Sequence, residues 1–323
     1  MMFLQLRAAL VIASTFLLAG LPAGAQAPYP AQSIKLLVPY APGGLPDTVA
    51  RIVGARLQDR LGQSIVVENR PGAAGSVAVT ALLAAPADGY TFLVTDGSTV
   101  TVNPLLFKHS YAAKDLTPVA LLARAPLFLA AHENLPVSTL KEFIDYVRAR
   151  PGEINYGSSG VGSAHHLSME AMKAALQLNL THVPYRGTGQ SVPALLGGHV
   201  SVLFSAYPSL AAGIQNKTIK LLATNGAKRS PEAPDVPPLS DVIPGYDLAT
   251  MIGVFARIGT PPALMQKFAS EAIAVVNLPE TLQRFAAAGI EPAGESSDGF
   301  AKALAAEAAH VAKVIEAADI KAQ

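Results

Sequence analysis

Two kinds of hydrophobic pattern alternate along most of the chain. Short apolar runs rich in leucine and β-branched residues are typical of buried strands, and longer segments with apolar residues at every third or fourth position separate them. This alternation is typical of α/β domains, so we expect largely parallel sheets covered by helices. The strand-like runs lie at residues 34–38, 64–68, 91–95, 118–122, 127–131, 180–183, 200–204, 219–223 and 251–256.

The intervening segments carry apolar residues on one helical face. Val49, Ile52 and Val53 share such a face in the first of these segments. Farther along, Thr139 followed by Glu142 forms a capping-box pattern at the start of a predicted helix. A long alanine-rich helix is predicted near the end, with a buried stripe made of Phe300, Leu304, Val311 and Ile315.

The chain is predicted to cross between two domains twice. One crossing lies at residues 124–126, where Arg-Ala-Pro alone separates two strand-like runs, and the other lies at the run 251–256. Two crossings imply that one domain is inserted into the other, and an insert of about 130 residues is an ordinary domain size. We therefore expect a first domain of residues 28–123 and 254–323 and a second domain of residues 124–253.

Composition favours packed domains and argues against several kinds of partner. Of the 323 residues, 50% are hydrophobic and only 15% are charged, so the chain can bury a large core. The formal net charge is +1 and no run of lysine or arginine occurs, which argues against nucleic acid or an anionic membrane surface as a partner. The absence of cysteine excludes disulfides, thiolate metal sites and a cysteine nucleophile.

The first 25 residues have the pattern of a cleavable signal peptide. Arg7 supplies a positive charge, residues 8–18 form a short apolar stretch, and Ala23-Gly24-Ala25 fits the small-residue cleavage pattern. The apolar stretch is shorter than the roughly 20 residues that span a bilayer, so a membrane anchor is disfavoured. We expect cleavage after Ala25 and a soluble protein in the periplasm.

Two glycine-rich turns, each between a predicted strand and a predicted helix, are the candidate binding elements. A junction of this kind presents backbone N–H groups at the positive end of a helix dipole and so forms an anion site. In the first turn, residues 38–47, Gly43 and Gly44 permit a positive φ, Pro46 fits the first helical turn and Asp47 follows it. An ordinary connection without a ligand stays an alternative for this turn.

The second turn, residues 156–166, has a richer set of polar groups. Three glycines alternate with three serines, so that backbone N–H groups and hydroxyls converge. The turn lacks the lysine of a phosphate-binding loop and has no basic residue to neutralise a polyphosphate. A carboxylate with one charge is therefore the better match, and the two turns together predict a clamp for a small acid.

Metal and catalytic sites fit the sequence less well. His165 and His166 are adjacent, so they point to different faces of a helix and cannot form the i, i+4 pair of a zinc helix. We expect His166 to brace the second turn by hydrogen bonding. No G-x-S-x-G pattern occurs, but a triad of a serine with His166 and either Asp47 or Asp96 stays open, and with it a periplasmic hydrolase.

Six ordered blocks of sequence carry a family resemblance. They are VPYAPGGLPDTVAR, LGQSIVVENRPGAAGSVA, PADGYTFLV, NYGSSGVGSAHHL, HVPYRGTGQSVPALLGGHVSVLF and IGTPPALMQKF. Together they resemble the Bug-type receptors, which are the extracytoplasmic solute-binding components of tripartite tricarboxylate transporters. The resemblance covers essentially the whole mature chain, and so many ordered blocks are far more specific than a single glycine motif.

The resemblance implies a type II periplasmic-binding-protein fold, in which two α/β domains joined by crossing strands close over a ligand cleft. It also implies a receptor that captures a small organic carboxylate and delivers it to membrane permease subunits. We expect a monomer without a cofactor. An orphan carboxylate sensor of the same fold is the alternative role.

In relatives, one ligand carboxylate is held mainly by backbone amides and hydroxyls of the two glycine turns, often through ordered waters. Carried onto this chain, the resemblance places ligand-binding residues in both turns and in a third turn at residues 95–99. Tyr185 is a candidate for a wall of the cleft, although it also fits a role in capping the second domain's sheet. The full set is Tyr40, Ala41, Gly43, Asp47, Ser98, Thr99, Ser158, Ser159, Gly162, Ser163, His166, Tyr185 and Ser205.

Three features depart from the usual pattern of this family. Leu45 and Pro46 stand where relatives usually carry small hydroxyl residues, which removes one expected contact. Ser205 replaces an aspartate that can pair with a ligand ammonium, so an amino acid is disfavoured as ligand. Asp96 occupies a usually neutral position and would repel a second ligand carboxylate unless it is protonated or turned away. The departures predict a monocarboxylate with an apolar or hydroxylated body.

Overall fold

Residues 32–323 form one structural unit built on two β-sheets, which we name sheet A and sheet B. The predicted signal peptide at residues 1–25 lies outside the described part of the chain. Among the described residues, none of the helices combines the length and the apolar character that a bilayer span requires. The computed structural model describes residues 29–40, 42–106, 111–185, 187–317 and 320.

The strands of the described chain are short, and most begin or end at a turn that contains glycine or proline. In chain order they are β1 (Ile34–Val38), β2 (Ile65–Asn69), β3 (Thr91–Asp96), β4 (Leu116–Ala125), β5 (Leu127–His132), β6 (Asn155–Ser158), β7 (Thr181–Pro184), β8 (Val202–Ala206), β9 (Ile219–Thr224), β10 (Thr250–Arg257) and β11 (Glu291–Ser296).

Both sheets are mixed. Sheet A has the strand order β11–β4–β10–β3–β1–β2, and sheet B has the order β7–β6–β8–β5–β9. β1 is parallel to β2 and β3, and β6 is parallel to β7 and β8, whereas β10 and β5 run antiparallel to both of their neighbours. The prediction of largely parallel sheets is therefore wrong. The cause is the crossing: β10 enters sheet A where β4 leaves it, with Thr250 opposite Ala125, so the two strands must run in opposite directions.

Helices follow most strands and cover the two sheets. The predicted cap at Thr139 is confirmed, because its hydroxyl accepts a hydrogen bond from the backbone N–H of Glu142 at 3.2 Å. The helices are α1 (Leu45–Leu61), α2 (Ser76–Ala84), α3 (Ser98–Thr101), α4 (Asn103–Leu106), α5 (Leu140–Arg148), α6 (Ala164–Leu176), α7 (Thr188–Leu196), α8 (Tyr207–Gln215), α9 (Pro262–Val276), α10 (Pro279–Ala287) and α11 (Ser297–Ala317), with 3-10 turns at Ala73–Gly75, Ala113–Asp115 and Leu239–Asp241.

Each sheet has its own hydrophobic core. We call sheet A with its helices lobe A and sheet B with its helices lobe B. Phe255 and Phe300 lie in the core of lobe A, and Phe143 and Tyr156 lie in the core of lobe B. Burying a large apolar side chain stabilises the fold by about 1.5–3 kcal/mol, so either core contributes strongly to the folded state.

The long helix α11 packs against both cores. Its first half places Phe300 and Leu304 in the core of lobe A, as the predicted stripe required. Its second half places Val311 and Val314 in the core cluster of lobe B, with Ile315 packed against it. The predicted domain boundaries stay a proposal. They assign all of α11 to the first domain, whereas its residues pack in the cores of both lobes.

Candidate functional site

The first glycine turn is closed by the carboxylate of Asp47. Gly43 has φ +85°, and its backbone N–H donates to Asp47 Oδ2 at 2.9 Å. The same carboxylate accepts from Arg51 Nε at 3.0 Å and from Asn69 Nδ2 at 2.8 Å. Asp47 therefore braces the turn from within, and the N–H of Gly43 is already used. Ala41, the fourth residue predicted in this turn, lies outside the described residues.

The surroundings of Asp47 favour its ionised form. Burial alone raises the pKa of a carboxyl group, because it removes the charged form from water. Hydrogen bonds from Arg51, Gly43 and Asn69 outweigh that effect and hold the pKa of Asp47 below its usual value. The negative charge at this position is thus a permanent part of the first turn.

The third turn joins Tyr40 and Ser98 through Asp96. The Tyr40 hydroxyl donates to one oxygen of Asp96, and the Ser98 hydroxyl donates to the other. The backbone N–H of Ser98 donates to that second oxygen as well, at 3.0 Å. Thr99 Oγ1 lies 2.8 Å from Thr95 Oγ1 in a buried contact. Burial raises the pKa of Asp96 even though Ser98 and Tyr40 donate to its carboxylate.

The second glycine turn is held by two residues at the beginning of α6. Gly160 and Gly162 have φ +115° and +77°, which only glycine adopts readily. Ser163 caps α6, accepting from the N–H of His166 at 3.3 Å, and its own hydroxyl donates to Gly160 O at 2.7 Å. The N–H of Gly162 donates to His166 Nδ1 at 3.2 Å. This contact confirms the predicted bracing role of His166, and it also means that the Gly162 N–H is not free.

A stack of aromatic rings supports the second turn from below. The rings of His166 and His182 lie 4.1 Å apart, and Tyr156 stacks on His182 at 4.7 Å. His182 Nε2 lies 2.7 Å from Ser158 Oγ, so the stack is tied to the end of β6. Burial lowers the pKa of both histidines to about 4, so both rings are neutral at pH 7.

Two buried hydroxyls at the edge of sheet B have no hydrogen-bond partner among the described residues. They are Ser159 Oγ, just after β6, and Ser205 Oγ in β8. The strands are adjacent and parallel with Gly157 opposite Leu203, so each serine lies two positions farther on, at the carboxyl edge of the sheet. Tyr185 lies near this edge, donating its N–H to Ser158 O at 3.0 Å.

A cavity of about 20 Å³ lies between the third turn and the beginning of α6, and neither Ser159 nor Ser205 is part of its lining. Lobe A contributes Asp96 and Ser98 to its walls, and lobe B contributes Ala164 and Ser168. The described residues of the first turn, 40 and 42–47, are not part of this lining, and the Tyr40–Asp96 hydrogen bond links that turn to the cavity wall. The remaining wall is formed by Gly97, Val102, Leu167, Leu248, Thr250, Glu307 and Val311.

The residues of the catalytic triad that the sequence left open each bond to other partners. Asp47 is bonded within the first turn, Asp96 is bonded to Tyr40 and Ser98, and His166 accepts from Gly162. The serine–histidine contact that does form, Ser158 with His182, was not predicted. Among the described residues, no three histidine or carboxylate side chains are grouped so that they would hold a metal ion.

Sequence reasoning missed several residues that shape this region. Asn69 supports Asp47 from the end of β2, and Glu307 reaches the cavity from α11. The motif ENRPG contained the signal for Asn69, because the asparagine ends a strand beside the first turn. Nothing in the alanine-rich pattern of α11 distinguished Glu307 from the exposed charges of that helix.

The chain is similar to a family of receptors. The profile described as "Tripartite tricarboxylate transporter family receptor" matches residues 49–320. A UPF0065 protein from Bordetella pertussis is 34% identical over 266 residues, which is 82% of each chain. The protein BugT from the same organism is 33% identical over 271 residues, also 82% of each chain.

Solved structures of similar chains have the same fold. The R. palustris protein Rpa4515 with adipate superposes with a TM-score of 0.83 at 33% identity, covering 91% of this chain and 100% of that one. MatC from Rhodopseudomonas palustris with bound malate superposes with a TM-score of 0.76 at 29% identity, covering 89% and 100%. Together with the two mixed sheets, these similarities establish the two-domain α/β fold of type II periplasmic binding proteins.

Proposed function

Because this chain belongs to the family of tripartite tricarboxylate transporter receptors, we propose that it binds a small organic carboxylate in the periplasm and presents it to membrane permease subunits. Two similar proteins, Rpa4515 and MatC, hold adipate and malate in their structures, which supports a carboxylate ligand here. The protein acts as a monomeric receptor and not as an enzyme, and its function requires no cofactor.

The observation that carries this proposal is the pair of unpartnered hydroxyls at Ser159 and Ser205. A buried hydroxyl without a hydrogen bond costs about 1–3 kcal/mol, so two neighbouring ones favour a ligand that accepts from both. Ligands of open α/β sheets bind outside the carboxyl ends of the strands, which is where these two serines lie. A carboxylate accepts hydrogen bonds through both of its oxygens and so fits the pair.

The beginning of α6 adds to the attraction for a negative charge. The helix has thirteen residues, and its N-terminus follows the second glycine turn directly. The partial positive charge of a helix N-terminus stabilises a nearby carboxylate. His166 and His182 shape this turn as neutral rings, while Gly43 and Gly162 act through the conformation of their turns and not as direct donors.

The ligand most compatible with the other side of the cleft has one carboxylate. Asp96 lies on the lobe A side of the cavity, and Glu307 lies on the same cavity wall. An ionised Asp96 disfavours a second ionised carboxylate by like-charge repulsion, whereas a neutral Glu307 adds no such repulsion. The cavity of about 20 Å³ holds no more than a water-sized group, so an apolar or hydroxylated ligand body stays a prediction from the sequence.

A periplasmic hydrolase is a weaker alternative. Ser158 Oγ lies close enough to His182 Nε2 for proton transfer, as in a nucleophile–base pair. However, Ser158 is only 1% exposed, and its oxygen also accepts from the N–H of Gly160 at 3.1 Å. A substrate carbonyl has no route to a hydroxyl that is buried beneath the turn, so the contact is better suited to support.

The proposal is tested with a panel of monocarboxylates and dicarboxylates, including hexanoate, lactate, malate and adipate. At a hundredfold excess over its Kd, a true ligand raises the free energy of unfolding by about 2.7 kcal/mol, which a thermal-shift assay detects. Turnover of the bound compound by the pure protein would favour the hydrolase. Loss of uptake in a deletion strain distinguishes the transport role from a sensor, whose loss abolishes only a transcriptional response.

Substitution of the two serines tests the site itself. We expect Ser159→Ala and Ser205→Ala each to weaken binding by about tenfold, because each removes a hydrogen bond to a charged group. Ser209→Ala, in an exposed position on α8, is the matched control and should bind like the native protein. Unchanged affinity in both site variants would remove the serine pair from the proposal.

A further inference from the structure

Glu307 is a carboxyl group buried at the junction of the two lobes. It lies near the middle of α11, between the half of the helix that packs in lobe A and the half that packs in lobe B. Its side chain lines the cavity together with Asp96 of lobe A and with Leu167 and Ser168 of lobe B. A change in the angle between the lobes would therefore change the surroundings of this carboxyl group directly.

One hydrogen bond of Glu307 favours its ionised form. Thr101 Oγ1 donates to Glu307 Oε2 at 3.1 Å and also lies 3.0 Å from Gly97 O. Gly97 O already accepts from the backbone N–H groups of Val100 and Thr101, both at 3.0 Å, so the Thr101 hydroxyl can donate to Glu307. This donation lowers the pKa of Glu307, and burial has to exceed it for the side chain to be neutral.

Burial and the acidic neighbours of Glu307 outweigh the hydrogen bond from Thr101 and raise the pKa of this carboxyl group. Asp96 on β3 and Asp247 before β10 raise the pKa of Glu307, because a second negative charge near them is disfavoured. Arg124 on β4 lowers it, but this guanidinium also pairs with Glu295 of β11 at 3.6 Å. From lobe B, α6 presents only the uncharged Ala164, Leu167 and Ser168 to the cavity. Burial raises the pKa of Glu307 to about 7, and Asp96 adds to the increase. His310 lies one turn farther along α11.

We propose that closure of the two lobes is coupled to the uptake of a proton at Glu307, so that the neutral side chain stabilises the closed receptor. Opening moves the wall of lobe B away and admits water, which stabilises the ionised form. Lower pH therefore favours the closed state, and higher pH favours the open one. This inference concerns the same lobes that the proposed function uses, but it does not require that the ligand be a carboxylate.

The sign of the linkage follows from the two states. An exposed glutamate has a pKa near 4.3, whereas burial raises the pKa of Glu307 to about 7 in this structure, which the proposal takes as the closed state. Between these values the closed state carries one more proton than the open state. The closure equilibrium constant therefore falls by up to about tenfold for each pH unit from pH 5 to pH 7 and levels off above that range.

The distance between the lobes can be measured without any ligand. The chain has no cysteine, so a pair of spin labels at Gln58→Cys on α1 and Gln215→Cys on α8 reports the separation of lobe A and lobe B. We expect the distribution to move by more than about 2 Å toward the short distance as the pH falls from 8.5 to 5.5. Across this range His166 and His182 stay neutral, since their pKa is about 4.

Variants identify the titrating group. Glu307→Gln should give the short distance at every pH, whereas Glu316→Gln, an exposed glutamate on the same helix, should titrate like the native protein. Asp96→Asn should move the midpoint to lower pH, because it removes a negative charge beside Glu307, and it serves as the second variant if Glu307→Gln does not fold.

Each outcome decides the proposal. A native distance that does not change with pH overturns it, and so does a pH response that persists in Glu307→Gln. An Asp96→Asn midpoint that stays in place or rises also contradicts it. If the distance responds as expected but no carboxylate binds, the proposed function fails while the proton linkage stands.

Discussion

At the scale of single residues, the carboxylates of this chain take different roles because their surroundings differ. Asp47 is ionised and accepts from three donor residues, whereas Glu307 accepts from one hydroxyl, that of Thr101, and faces Asp96 across the cavity. Position 97 has to be glycine for Glu307 to reach the cavity, because any side chain there would collide with the carboxyl group of Glu307. The same functional group, a carboxyl, thus supplies a permanent brace at Asp47 and a proton-binding group at Glu307.

The role of Asp47 is tested by Asp47→Asn, which keeps the size of the side chain and removes its charge. We expect a loss of about 2 kcal/mol in the free energy of unfolding at pH 7, measured in urea, because hydrogen bonds to a charged group are weakened. Because the pKa of Asp47 is lowered in the fold, this contribution is present above the usual carboxyl pKa and disappears as the pH falls below it. Asp59→Asn, whose side chain is 62% exposed, should change stability by less than about 0.5 kcal/mol.

At the scale of elements, the histidine stack fixes the second turn without using a charge. The N–H of Gly162 can donate to His166 Nδ1 only while that nitrogen is unprotonated. Burial places the loss of this contact near pH 4, because the stacked rings of His166 and His182 are kept from water. Above about pH 5 both rings are neutral, so their protonation should not affect ligand binding through the second turn.

This expectation is checked by nuclear magnetic resonance of the histidine ring carbons between pH 3.5 and 8. The signals of His166 and His182, assigned by their disappearance in His166→Gln and His182→Gln, should keep the pattern of neutral rings down to about pH 5. The physical reason is that protonation would bury a charge and remove the acceptor of Gly162. A midpoint above pH 6 for either ring would contradict the structural role assigned to the stack.

The elements also explain which parts of the fold the sequence predicts. All nine strand-like runs occur as strands with ends shifted by a few residues, because each combines apolar residues with flanking turns. β11 was missed, and β6 was expected before the second turn but is absent from the nine runs, since Glu291–Ser296 and Asn155–Ser158 contain glycine and polar residues and lack an apolar run. Their strand conformation depends on pairing with β8 and β4, which is tertiary information.

The candidate site likewise has some features that the sequence predicts and others that depend on tertiary structure. The glycine turns, and the bracing contact of His166, were visible in the sequence because positive φ and helix capping are local properties. The sequence does not show that Ser159 and Ser205 lie at the same edge of sheet B, because their relative position depends on the register between β6 and β8. That Gly43 and Gly162 donate within their own turns was equally hidden, since both acceptors are side chains four residues farther along.

At the scale of the whole molecule, α11 couples the two lobes. The crossing strands join them covalently near Ala125 and Thr250, and the helix adds a packed connection beside the cavity. Apolar side chains of one helix contribute to both cores, so unfolding of either lobe removes contacts from the other. Glu307 lies in this shared region, beside the cavity.

This coupling predicts cooperative unfolding. We expect one transition in scanning calorimetry for the native chain and two for the double variant Val311→Ala and Val314→Ala. The two substitutions remove buried methyl groups from the half of α11 that packs in lobe B, at a cost of about 1–2 kcal/mol each, while the contacts of Phe300 in lobe A stay intact. With that half loosened, lobe B unfolds at a lower temperature than lobe A.

The control is Lys313→Ala, an exposed position between the two valines, which should keep the single transition and nearly the native Tm. If the double variant also unfolds in one transition at a lower Tm, the crossing strands alone suffice to couple the lobes, and α11 contributes stability without linkage. In that case Glu307 would sense lobe B through the cavity residues Leu167 and Ser168 alone, and the spin-label distance would show whether those contacts suffice for a response to pH. The two experiments therefore test one mechanical premise from independent directions, because calorimetry reports the energy of the shared helix and the labels report its geometry.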